Sequence, residues 1–133
     1  MAEWVPVIYP TATTSEIVPA DQAWDIQSVY VGLTTTGTVG DRRVAVTIKD
    51  PEDVTAYEVR AGAVQAASTI RYYLFAPGAV DLETFRDTDY LSVGLSAVII
   101  PTGYTLQVRD VNSVDDSDVF TVAISTMQMR MKF

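Results

Sequence analysis

Residues Ile17 to Asp50 constrain the fold more than any other stretch of the chain. Two alternating apolar runs flank a connection rich in Thr and Gly, which is the pattern of two extended strands joined by a loop. From Trp24 to Leu33, the polar Asp25 and Gln27 interrupt apolar residues with a period close to two. From Arg43 to Lys49, Val44, Val46 and Ile48 share one face, while Arg43, Thr47 and Lys49 take the other. Alternate side chains of a strand point to opposite faces, so each run has one face for a core and one for solvent or a partner.

The rest of the chain reads the same way. Ile17-Val18 closes a short strand before a turn at Pro19-Ala20-Asp21-Gln22, and Asp50-Pro51-Glu52-Asp53 is a second turn. Val54 to Arg60 and Ile70 to Phe75 alternate as strands, with extended chain preferred over a helical turn between Gln65 and Ile70. Ala79 to Asp89 is a loop with room for one short helix. Tyr90 to Ser96, Tyr104 to Asp110 and Val119 to Ile124 complete the set, and Ser125 to Phe133 continues the last strand. Roughly eight antiparallel strands with closely spaced turns predict an all-β sandwich of two packed sheets with Greek-key wiring. In 133 residues this is one domain, residues 15–133, preceded by an arm at residues 1–14.

Composition narrows the chemistry. Without cysteine there is no thiol catalysis and no cysteine metal site; without histidine the usual general base and commonest zinc ligand are missing. A formal charge of −8 repels phosphate backbones and disfavours nucleic acid as a partner. The start, MAEWVPVIYP, lacks the positive region and apolar core of a signal peptide, and no stretch approaches the ~20 apolar residues of a membrane span.

The richest polar cluster is Asp110, Asn112, Asp115, Asp116 and Asp118. Val114 breaks the ligand spacing of a helix-loop-helix calcium site, so the expectation is a solvated turn, with a weak calcium site as the alternative. Hydroxyls without histidine cannot form a Ser-His-Asp arrangement, and no carboxylate pair is marked as facing another across a cleft. No catalytic residue and no cofactor are expected. Arg42 and Arg43, at a loop end, read as surface charges or as a grip for a partner's carboxylates. Tyr72 and Tyr73 are neighbours, so at least one lies outside the core.

Both chain ends are apolar. Trp4, Val5, Val7, Ile8 and Tyr9, punctuated by Pro6 and Pro10, form either a first strand over the core edge or an arm that docks on another subunit. At the other end Met127, Met129, Met131 and Phe133 alternate with Gln128, Arg130 and Lys132. That pattern predicts a strand whose distal end reaches an intersubunit contact through its methionines, with the basic face free to meet acidic groups. These apolar residues of the two ends are the candidate protein interface.

The run Val18-Pro19-Ala20-Asp21-Gln22-Ala23-Trp24-Asp25-Ile26-Gln27-Ser28-Val29-Tyr30-Val31, followed by TTTGTVGDRRVAV, resembles small structural proteins of tailed bacteriophages. Ile100-Pro101-Thr102-Gly103-Tyr104-Thr105-Leu106-Gln107-Val108-Arg109-Asp110, with its Asp/Ser loop and final strand, is similar to the same group. The likeness, over about residues 15–126, is to the jelly-roll cement or decoration proteins of phage heads. It implies that the β-sandwich is jelly-roll-like, and a protein without catalytic residues on the outer capsid surface of the virion. Its partners would be the major capsid protein and itself, as a homotrimer in preference to a dimer. A carbohydrate-binding or receptor-binding module of a phage tail is the alternative on the same fold.

Overall fold

The structure, a computed structural model, describes residues 2–131. Ten strands follow one another: β1 (Ala2–Ala12), β2 (Ser15–Ile17), β3 (Gln22–Thr34), β4 (Val44–Lys49), β5 (Thr55–Arg60), β6 (Ile70–Pro77), β7 (Tyr90–Leu95), β8 (Ile99–Ile100), β9 (Thr105–Asp110) and β10 (Val119–Met131). They form a larger sheet, β1-β10-β3-β6-β7 with β8 also on β3, and a smaller sheet, β2-β9-β4-β5. The chain is an all-β sandwich.

The pairing explains the wiring. β1 pairs with β10, β2 with β9, β3 with β6 and β4 with β5, all antiparallel. First meets last and the middle strands meet each other, so the chain is one long ribbon doubled back and rolled into two layers. Each ribbon strand has one apolar face, and rolling is the way to hide all of those faces together. Val29, Val31 and Leu33 of β3 and Val122 and Ile124 of β10 meet Val44, Val46 and Ile48 of β4 and Leu106 and Val108 of β9 in one core. Full burial of each such side chain is worth about 1.5–3 kcal/mol.

Two details depart from the sequence expectation. The described residues hold ten strands where about eight are expected, because most of the expected arm is itself a strand, β1, and Ile99–Ile100 pairs separately as β8. And β6 with β7 is parallel, not antiparallel. A parallel neighbour needs a long return connection. Residues 78–89 supply it without the short helix the sequence left room for, because their polar groups bond along the edge of β7. Leu82 N–H donates to the Ser92 carbonyl and Asp81 Oδ1 accepts from Gly94 N–H, while Leu82 and Phe85 pack on the core.

Residues 2–12, most of the expected arm, form the edge strand β1 against β10. A break of register places Ser28 opposite Ser125 but Ile26 opposite Thr126, leaving Gln27 as the extra residue of a β-bulge. The bulge keeps Trp24 and Ile26 buried alongside Val29, Val31 and Leu33 although their parity differs.

Candidate docking face

Because the ribbon closes first strand on last, the two apolar ends of the chain share one sheet. Trp4 lies opposite Met129, Pro6 opposite Met127 and Ile8 opposite Ser125. Cross-strand partners point to the same side. Thr126 and Gln128 are buried between them on the other side, so Trp4, Pro6, Ile8, Met127 and Met129 face outward from the sandwich. Trp4 is 45% exposed and Ile8 69%, and the two methionines are half-buried. Met127 sits opposite Asp25, which in turn sits opposite the exposed Ile99.

The candidate residues therefore divide. Val5, Val7 and Tyr9 point to the inner side, where Tyr9 packs on Trp24 with ring centroids 5.6 Å apart and accepts a 2.7 Å hydrogen bond from Gln128 Nε2. Met131 pairs with Ala2 through the backbone, and Phe133 lies outside the described residues. Of the side expected to meet a partner's acidic groups, Gln128 and Arg130 are placed differently, and Lys132 lies outside the described residues. Gln128 is fully buried, and Arg130 turns its guanidinium onto Gln128 Oε1 at 2.7 Å. Both sit on the core side because Val122, Ile124, Thr126 and Gln128 continue one inward series along β10.

The outward face continues across β3 and β6. Tyr30 and Tyr72 stack there, centroids 6.2 Å apart, beside the outward Ala123 and Leu74. Gly32 makes room for the second ring: a Cβ at that position would come within 3.4 Å of Tyr72 and 2.7 Å of Thr121 Oγ1. Ile70 and Val119 extend the apolar side chains to the far end. Seven of the twelve large exposed apolar side chains among the described residues lie on this one face. Asp25 is the one charged side chain among the outward residues described on β1, β10, β3, β6 and β8.

The outer face of the smaller sheet is of the opposite character. Lys49, Glu58, Arg60 and Arg109 project from it, and Glu58 bridges both arginines. The hydrogen bond from Arg109 holds the Glu58 carboxyl below its ordinary range, with the Thr47 hydroxyl adding to it.

The acidic loop does structural work that the sequence hid. Arg42 is not a surface charge: its side chain has no exposure and pairs with Asp118 at 2.9 Å. Its remaining donors go to the carbonyls of Thr38 and Gly40, the Thr36 hydroxyl and the second Asp118 oxygen. Asp118 keeps the Arg42 guanidinium protonated beyond its ordinary range. Asp115 accepts from the Thr36 hydroxyl at 2.6 Å and the Thr38 hydroxyl at 2.7 Å, which pull its pKa down to about 2. Arg43, also expected outside, donates to the Ala61 carbonyl. The loop is thus a clasp between the Thr-rich connection and the start of β10. Among the described residues no group of three acidic side chains is arranged to hold a metal.

Comparison with protein-family models, with curated proteins and with solved structures yields no match to this chain.

Proposed function

We propose that this chain is a structural binding protein, a jelly-roll cement or decoration protein that docks on the outside of a tailed-phage capsid and reinforces the lattice of the major capsid protein. The observation that carries the reading is the outer face of the larger sheet, apolar and nearly free of charge in a chain of net charge −8. A sheet face meant for water alternates toward polar and charged residues. Charge depletion with aromatic and Met enrichment is the composition of a protein interface. The ribbon pairing supports the jelly-roll assignment, since eight of the strands join as first with last and inward from there. The role is assembly, and it assigns no catalysis and no cofactor.

The test is co-sedimentation of the purified chain with phage heads that lack it, followed by heating of the heads. Saturable binding and release of packaged DNA at a higher temperature are expected. Absence of binding overturns the reading. The exposed Tyr30–Tyr72 pair favours a second reading, a sugar-binding module, because tyrosine rings on a sheet can stack on pyranose faces. Glycan-array binding lost in Tyr72→Ala, without head binding, would select it.

A further inference from the structure

We infer that the outer face of the larger sheet seats a second copy of this chain, face to face about a two-fold axis. The inference rests on the assembly reading above and names the occupant of its surface.

Charge selects the occupant. A heterologous ring, such as a trimer, requires this apolar face to meet a different surface of the next copy. The other broad surface of the sandwich carries Lys49, Glu58, Arg60 and Arg109 and would lose their hydration against an apolar face. The face itself is the matching surface: among its described residues the like charges are confined to Asp25 of each copy.

Size agrees. β3 and β10 are thirteen residues long. At ~3.3 Å per residue and ~4.8 Å between strands, a face three to four strands wide covers roughly 600–800 Å². A standard interface takes about 800 Å² from each partner.

The sheet edge, the other route to pairing two sandwiches, is blunted. β1 is an edge strand with Pro6 in its middle and Pro10 near its end. A proline within a paired strand must turn its nitrogen toward the free edge, which removes a donor that a further strand would need.

The experiment is sedimentation equilibrium of the whole chain from nanomolar to ~100 µM, with acrylamide quenching of tryptophan fluorescence over the same range. Trp4 is on the face and exposed while Trp24 is 2% exposed, so quenching reports on Trp4. A mass of two chains is expected, with quenching that falls as the dimer forms. Ser125→Arg and Tyr30→Lys, near the middle of the face, should each raise the dissociation constant roughly 30-fold or more. Thr55→Lys, on the opposite face, should leave it unchanged. If the face variants do not fold, the wild-type mass and quenching still decide. A monomer throughout, a trimer, or a dimer whose Trp4 stays equally quenched overturns the inference. A monomer that still binds heads overturns self-packing and leaves the capsid reading standing. A dimer that ignores heads keeps the self-packing and removes the capsid reading.

Discussion

Arg42 spends every one of its guanidinium donors inside the fold, and that fixes how the acidic loop must behave. A buried cation is tolerated only when paired and fully hydrogen-bonded. Asp118 supplies the pair, and Thr36 and Thr38 are held in turn by Asp115. Asp115 therefore titrates below its ordinary value of 3.8, at about 2. A carboxyl lowered on folding contributes stability above its unfolded pKa and loses it as pH falls through the folded value. The melting temperature of the wild type should drop steeply between about pH 4 and pH 2. Asp115→Asn, less stable at neutral pH, should show a shallower drop over that window. Parallel pH profiles for the two chains would refute the clasp. None of this was legible in the sequence. The acidic residues stood out, but a partner 76 positions away leaves no local spacing to read, and Arg42 beside Arg43 looked like an ordinary surface pair.

At the level of strands the sequence was far more informative, because period two survives single-residue noise. The two-layer, all-β architecture and most strand centres follow from it. The parity change from Trp24 and Ile26 to Val29, Val31 and Leu33 was present in the sequence, and it marks the bulge at Gln27. What pattern could not supply was which strands pair. Hence the apolar residues of the N-terminal segment read as one set, whereas pairing with β10 sends Trp4 and Ile8 outward and Val5, Val7 and Tyr9 inward. At Pro6, in the middle of β1, one residue serves both the edge and the face. Its ring lies on the outward face, and its missing donor guards the edge. Pro6→Thr restores a backbone donor with a residue well suited to strands. The variant should melt within about 2 °C of the wild type but aggregate faster in thioflavin-monitored incubation just below the melting temperature. Unchanged aggregation would mean that the edge is protected by something other than proline.

The whole molecule is a sandwich with two unlike exteriors, one charged and bridged by Glu58, the other apolar and almost uncharged. Composition showed an acidic chain and nothing of this division, since the division exists only once strands are assigned to sheets. It has a measurable consequence. Two copies of a chain of charge −8 repel at long range, whatever surface joins them. If the joined surface were stitched by ion pairs, salt would weaken the dimer as it screened them. If the joined surface is the uncharged face, salt screens only the repulsion. The screening length shrinks from ~30 Å at 0.01 M to ~3 Å at 1 M. Salts that strengthen apolar association act in the same direction. The dissociation constant should therefore fall between 0.01 M and 1 M sodium chloride, by roughly tenfold if screening removes about 1.4 kcal/mol of repulsion. Sedimentation equilibrium at the two salt concentrations reads it directly. A constant that rises with salt would place charged groups, and so a different surface, at the contact.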